Sequence, residues 1–454
     1  MASLVKTHDS EARYNRMVNT PVPRLVLSLA WPAVISQLIT VIYNTADTYF
    51  VSQLESNSAS GAVGVVLSLM SLIHALGFGI GMGANSLIST NLGEKKNREA
   101  ATYGNSAFVA ALAMGLFLTV SGLTFLRPLM RLLGATDTIL PYACDYARYI
   151  LIGAPVMCSA FVLTNILRAE GEATLAMIGL SVGGVLNVVL DPLMIFGMNL
   201  GVIGAAVATL ISQTISFLVL LVFFICNKSN IKLSIKFVSR SPRIYFDIVK
   251  RGFPTICRQG MASVSSALLN NVAGVVGGDA AIAAMTVANK VYMLVRNIVV
   301  GIGHGFQPVA GYNFGAGKKE RVKQAFWFAT LLSTLFCVAA AIFIFPFAQN
   351  IMLMFRKDPQ VISIGMGVLR FYCLCLPTTA YSTYVNQMYQ CLGYSSTAAF
   401  LASCRQGVFY VPLVLLLPWL FGIVGLQATQ PMADLLTAVV SIYFHIRFFK
   451  KVLK

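Results

Sequence analysis

Acidic residues are scarce. The chain has 454 residues but only 16 Asp and Glu, against 33 Lys and Arg, and charged residues make up 11% of it. A soluble domain carries about 25% charge, so this chain cannot cover a water-facing surface of its size. There are four histidines and three tryptophans. The apolar stretches hold no His, Glu and Cys cluster, no Ser and His arrangement and no paired acids, which argues against a membrane-embedded enzyme. The nine cysteines (144, 158, 226, 257, 337, 373, 375, 391 and 404) lie in or beside apolar segments. They read as small hydrophobes, not as a disulfide framework or a metal site. No Walker sequence occurs. The glycine runs Gly79, Gly81, Gly83 and Gly301, Gly303, Gly305 sit inside apolar stretches, not after a strand, so they are packing or hinge glycines and not a nucleotide site. Without a nucleotide, energy for any pumping must come from an ion gradient or from a substrate's own gradient.

Apolar residues are abundant: 57% of the chain, with a mean hydropathy of +0.76. Crossing the hydrocarbon takes about 20 apolar residues in a helix. Twelve such segments are expected, at 25–50, 59–88, 100–125, 140–164, 173–195, 203–226, 246–275, 281–311, 323–346, 360–390, 396–418 and 423–446. They must be helical, because a lipid-exposed span has to satisfy every backbone group internally. The first 24 residues are polar and lack the apolar core of a cleavable signal.

The chain is also written twice. A shift of 222 places Pro32 on Pro254, Gln37 on Gln259, Gly79 on Gly301, Asn91 on Asn313, Arg148 on Arg370, Pro155 on Pro377 and Gly171 on Gly393. One offset held over about 140 positions means a duplicated half, and two apolar halves in one orientation suggest a transporter with a central site between them. The fold class expected is an all-α polytopic membrane protein, with twelve helices in two pseudo-symmetric six-helix lobes. The lobes are 1–226 and 246–454, joined by a linker at 227–245. An even helix count in direct repeat puts the symmetry axis near the membrane normal, so helix one corresponds to helix seven and helix two to helix eight.

Charge placement gives the topology. If the N-terminus is cytoplasmic, the inner loops and tails hold 23 of the 33 basic residues and the outer loops four. The other six, Arg148, Arg258, Lys290, Arg296, Arg370 and Arg405, fall within spans. This is the positive-inside pattern, which accounts for the net charge of +17 without nucleic acid. The expected location is the cell (plasma or inner) membrane, multi-pass, with both termini cytoplasmic. The basic linker alternates apolar positions, and reads either as an amphipathic segment on the inner surface or as a tethered loop.

Four stretches resemble the multidrug and toxic compound extrusion (MATE) family. They are YNTADTYFVSQL at 43–54, LNVVLDPLMIFGMNLGVIGAAVAT at 186–209, GFQPVAGYNFGAGKKERVKQAF at 305–326 and QPMADLLT at 430–437. The resemblance covers nearly the whole chain, and the second and third stretches are the specific ones. It implies a twelve-helix secondary antiporter that exports cationic, amphipathic compounds against inward proton or sodium flow.

The rare acids point the same way. Asp47, Asp191 and Asp434 lie clearly within spans. A carboxylate at the bilayer centre costs about 2.5–3.5 kcal/mol on insertion scales, so it faces a cavity or a partner. Tyr43 and Asn44 share a helix face with Asp47, and Asn187 precedes Asp191 by one turn. Thr209 opens a polar stripe with Gln213 and Ser216. The proton-coupled branch of the family has an Asp on helix one, an Asn and an Asp four apart on helix five and a Thr on helix six. By that resemblance Asp47, Asn187, Asp191 and Thr209 are the ion-coupling residues. Ordinary interhelical hydrogen bonding is the rival reading for the polar ones, and is preferred for Gln213.

Sodium-coupled relatives carry a Glu on helix seven and an Asp on helix ten, and neither acid is present here. Protons are therefore the expected coupling ion, with sodium as the alternative and no other cofactor. Candidate substrate contacts are Gln37, Tyr43, Asn44, Gln259, Asn386 and Asp434. Asp434 reads equally as a salt-bridge partner of Arg258, Lys290, Arg296 or Arg405. His304, taken as the only histidine deep in a span, reads as a packed polar residue or a proton relay. The expected partners are organic cations and membrane lipids, with no nucleic acid, and the chain is expected to act as a monomer. The rivals are a flippase of the same superfamily, moving a lipid-linked sugar precursor on cavity arginines, and, from another class, a channel or a membrane enzyme.

Overall fold

The computed structural model describes residues 2–53 and 57–452, which leaves Leu54, the last residue of the first family-like stretch, outside the described residues. The chain is helical almost throughout. In order, the helices are α1 (Ala2–Asn19), α2 (Val22–Ser52), α3 (Asn57–Gly93), α4 (Asn97–Thr124), α5 (Leu126–Leu132), α6 (Leu140–Ala169), α7 (Ala173–Pro192) and α8 (Gly201–Ile225). Then come α9 (Pro242–Gly315), α10 (Lys319–Phe355), α11 (Pro359–Cys391), α12 (Ser395–Ser403) and α13 (Tyr410–Lys451).

Ten continuous stretches are long and apolar enough to cross a membrane. Two of them are hairpins of helices. α9 breaks at Gly278 (φ 61°, ψ −156°) and α13 at Gly422 (φ 56°, ψ −132°), backbone conformations that a Cβ would resist. Opening both breaks gives the twelve spans expected, six in each half. Most run a few residues past their apolar segments, because a helix can continue into water where its side chains turn polar. α1 and α5 had no apolar signal and are additions to the expected set.

The duplication is visible down to the turns. Gly171 (φ 85°) and Gly393 (φ 90°) are 222 residues apart and end α6 and α11 in the same way. In each turn one N–H reaches five residues back, Glu172 to Leu167 and Tyr394 to Tyr389, and the glycine N–H reaches three back, to Arg168 and Gln390. This is the glycine cap that satisfies the last carbonyls of a helix.

The halves meet through backbone. Gly79 packs on Ile256 and Gly301 on Val34, which is one contact with the two halves exchanged. Gly83 lies against Ile248 and Gly252, and Gly305 against Ala30. Gly93 touches Tyr312, and Gly315 touches Thr90. The Gly79–Ile256, Gly83–Gly252 and Gly93–Tyr312 contacts each map onto their counterparts under the 222-residue shift, as a two-fold relation requires. All of these residues belong to the first part of α2, the last part of α3 and the two ends of α9. The lobes therefore close at the membrane face that carries the N-terminal segment and the linker. Side-chain bonds reinforce that end: Ser86 Oγ donates to the Cys391 carbonyl (2.8 Å), and Arg251 donates to Ser86 Oγ (3.0 Å).

The linker is not a surface helix. Beyond one short turn at Ile235–Phe237 it is irregular from 227 to 241, and it is stapled to the first lobe. Glu170, fully buried, accepts from Ser229 Oγ (2.9 Å) and from the backbone N–H of Asn230 (3.0 Å) and Ile231 (2.8 Å). Asn105 donates to the Lys232 carbonyl (3.0 Å) and accepts from the Ser234 N–H (2.7 Å). These bonds satisfy polar backbone that would otherwise lie at an apolar boundary, so the tethered-loop reading describes the segment.

Histidine placement also differs from expectation. His304 is buried, but so is His445 on α13, which stacks on Phe449, and His74 lies within α3 against Phe161. Overpacking a close contact costs about 1–3 kcal/mol. A Cβ at Gly252 would strike the Gly79 carbonyl, whereas a Cβ at Gly260 meets nothing within 4 Å. Gly252→Val should therefore lower the thermal midpoint in detergent by several degrees, and Gly260→Val should leave it near wild type.

Candidate functional site

In the N-terminal lobe the two acids come from opposite ends of the sequence pattern. Asp47 is on α2, five residues before that helix ends. Asp191 is in the last turn of α7, just before Pro192 and a π-helical turn at Leu193–Gly197. A π-turn breaks the regular bonding of the helix and often marks a working position. Both acids are buried, Asp191 completely. Asn187, one turn earlier on α7, donates from Nδ2 to Asp191 Oδ1 (3.1 Å) and lies 3.4 Å from Thr209 Oγ1 on α8. Asn187, Asp191 and Thr209 thus form one bonded group. Asp47 stands within electrostatic reach of Asp191 but outside that group.

Two oxygens in this cluster are unusual. Asp47 Oδ1 and Asp191 Oδ2 are buried with no hydrogen-bond partner among the described residues. A buried carboxylate oxygen without a donor is costly, and two negative charges this close repel. A proton on either acid removes the repulsion. Two tyrosines stand around the acids, Tyr43, expected on Asp47's face, and Tyr146, which sequence reasoning could not place. Tyr146, from α6, lies within electrostatic reach of both carboxyls and beside Thr209. Tyr43 lies beside Gln213 and Asp47. Tyr146 carried no signal, because nothing in α6 marks which of its aromatics turns inward.

The C-terminal lobe has the opposite polarity. Arg405 Nε donates to Asp434 Oδ1 at 2.6 Å. Tyr292 (2.8 Å) and Thr379 (3.0 Å) donate to Asp434 Oδ2, and Gln430 donates to Oδ1 (2.9 Å). Arg405 also bonds the Tyr292 hydroxyl. Asp434 is 1% exposed and both its oxygens are engaged. Of the readings open for it, the ion pair is the one formed, and Arg405 is the partner among the four bases considered. Beside this pair is a small cleft, partly open to solvent, lined by Arg258, Arg296, Ser382, Asn386, Arg405 and Thr437 among others.

The remaining candidates are scattered. Asn386 lines that cleft and donates to the Ala398 carbonyl (2.6 Å). Gln259 is half-buried on α9 and Gln37 half-buried on α2. Asn44 is exposed, and its amide returns to the Thr40 carbonyl of its own helix (2.8 Å). His304 is buried with Nε2 unpartnered among the described residues, edge-on to Phe78. Removing one side of a buried ion pair costs about 3–5 kcal/mol, because the other charge is stranded. Asp434→Ala should therefore lower thermal stability in detergent far more than Asp191→Asn, which keeps its shape and strands no opposite charge. Equal losses in the two variants would contradict the assignment of Asp434 to a structural pair.

Comparison with known proteins adds to this geometry. The MatE family model matches the chain twice, over residues 32–193 and 254–416. The multidrug export protein MepA of Staphylococcus aureus is 26% identical over 420 residues, covering 92% of each chain. Among solved structures, one described as the outward-facing conformation of a multidrug resistance MATE family transporter of the MOP superfamily superposes with a TM-score of 0.90. It shares 26% identity and covers 95% of this chain and 97% of its own. A MATE crystal structure in the straight conformation gives 0.91 at 26% identity, with 96% and 97% covered.

Proposed function

Because the chain belongs to the MatE family of multidrug efflux transporters, we propose that it is an antiporter, exporting organic compounds in exchange for protons. The observation that carries this reading is the pair of buried acids in the N-terminal lobe. Asp47 and Asp191 have oxygens that no donor among the described residues satisfies. Their ionised forms repel each other and their neutral forms do not. The pair is thus a site whose occupancy by a proton changes its charge at little structural cost.

Exchange follows from linkage. An organic cation that enters the N-terminal lobe is attracted to an ionised acid, and a proton removes that attraction. If the two ligands exclude each other, each weakens the binding of the other by the same factor. The group of Asn187, Asp191 and Thr209 orients one carboxyl, and Asp47 on the neighbouring helix senses its charge. With both termini in the cytoplasm of a cell-membrane protein, the glycine-lined closure lies on the inner side. The state described is then open to the outside, where protons enter and substrate leaves. Return to the inward-open state requires the backbone contacts at Gly79, Gly83, Gly301 and Gly305 to part.

The test is export from proteoliposomes under imposed gradients, followed with a fluorescent cationic dye. A proton gradient should drive export and a sodium gradient at uniform pH should not. Asp47→Asn keeps the shape of the side chain but cannot release a proton. It should insert and fold as wild type does and lose gradient-driven export to below about a tenth, the scale expected when one charge-assisted partner is removed. Wild-type export by Asp47→Asn would overturn the proton-site reading.

A further inference from the structure

We propose that the C-terminal lobe holds an anion-binding subsite, built on Arg258 and Arg296, that receives the carboxylate or phosphate of an anionic or zwitterionic amphiphilic substrate. The inference starts from charge accounting within one cleft. Its lining includes three arginines, Arg258, Arg296 and Arg405, and no acid. Arg405 is neutralised by Asp434. Among the described residues, no hydrogen bond or ion pair engages the guanidinium of Arg258 or Arg296, so two fixed positive charges face the same space without a carboxylate to meet them. Arginine stays protonated in proteins, so these charges cannot be shed by titration. Charged side chains within spans are costly and are seldom kept without a partner or a task.

The surroundings suit an organic anion better than a bare ion. Val300, Leu401 and Ala402 give the cleft an apolar wall. Ser382, Thr383 and Thr437 offer hydroxyls around the same space. A guanidinium presents paired N–H groups that match the two oxygens of a carboxylate or phosphate. Arg405 and Gln406 sit on a π-helical turn at Cys404–Val408, so the cleft has an irregular helix at its rim, as the acid pair of the other lobe does at Leu193–Gly197.

The duplication shows that these charges are additions to a shared scaffold. Under the 222-residue shift Arg258 falls on Ser36 and Arg296 on His74, while Asp47 falls on Leu269. Arg258 and Asp47 thus have no counterpart of their own sign in the other lobe. A substrate bearing an amine and an acid has an acidic site in one lobe and a basic cleft in the other to meet. The export reading supplies the direction of transport, and the anion subsite rests on it only for that.

A matched pair of dyes tests the subsite by binding alone, without a gradient. Rhodamine B is zwitterionic at neutral pH, and its ethyl ester has the same ring system but only the positive charge. Fluorescence polarisation would be measured on the full chain in phosphatidylcholine nanodiscs. Arg258→Gln with Arg296→Gln should weaken rhodamine B by about tenfold or more, as expected for two lost charge-assisted bonds, and leave the ester within about twofold. The unchanged ester shows that the variant is folded. Arg258→Lys with Arg296→Lys keeps the charge and should keep most of the preference for the acid. Equal loss of both dyes, or no loss of rhodamine B, overturns the proposal. So does abolition of rhodamine B binding when phosphatidylglycerol replaces half of the lipid, because the cleft would then be a seat for a lipid headgroup. Proton-driven export of the ester is the separate arm. Its failure with rhodamine B binding intact would reject the antiport reading and leave the subsite standing.

Discussion

Backbone against backbone is the contact on which this architecture depends. Where the lobes close, glycines of one half lie on main-chain atoms of the other: Gly83 on Ile248, Gly305 on Ala30, Gly93 on Tyr312, Gly315 on Thr90. In lipid there is no hydrophobic gain from joining two apolar helices, so association relies on close packing and small residues. Such a contact is tight but shallow. Its glycine contacts offer few side chains to unpick, and its two-fold exchange relates the two halves. A seam of this kind can hold one end of a cavity shut and still open on each cycle.

The second constraint is the cost of charge in hydrocarbon, and the two lobes meet it in different ways. The C-terminal lobe satisfies Asp434 completely, with Arg405, Tyr292, Thr379 and Gln430 around it. The N-terminal lobe leaves Asp47 Oδ1 and Asp191 Oδ2 without donors among the described residues. A satisfied acid is structural. An unsatisfied pair leaves oxygens free for a ligand. The division of labour between the lobes follows from which acids the protein has partnered and which it has left open.

Much of this could be read from the residues. The spans and the 222-residue repeat rest on periodicity and on the rarity of polar residues in apolar helices, which survive in one dimension, whereas the grouping of Asn187, Asp191 and Thr209 comes from the resemblance to the proton-coupled branch of the family. What could not be read depends on contacts across the fold. Asp434 had four bases to choose from, and only packing brings Arg405 to it. Tyr146 and Tyr292 are two of 17 tyrosines, and nothing local separates them from those that face lipid. Glu170 drew no attention in the sequence. It is the anchor of the linker, because three donors from 229–231 converge on it. The alternation in that linker suggested a surface helix, but Ile231 is buried while Ile235 is 90% exposed, as befits a stapled loop. The two π-turns likewise carry no compositional mark.

The central claim is that substrate and proton compete through the acid pair. The most direct measurement is proton release on binding. Purified protein in weakly buffered detergent would be mixed with a cationic substrate near neutral pH while a pH dye is recorded. The account predicts release of about one proton per protein at saturation, from linkage between the two ligands, and none from Asp47→Asn. Saturable substrate binding by the wild type with no proton released would contradict it.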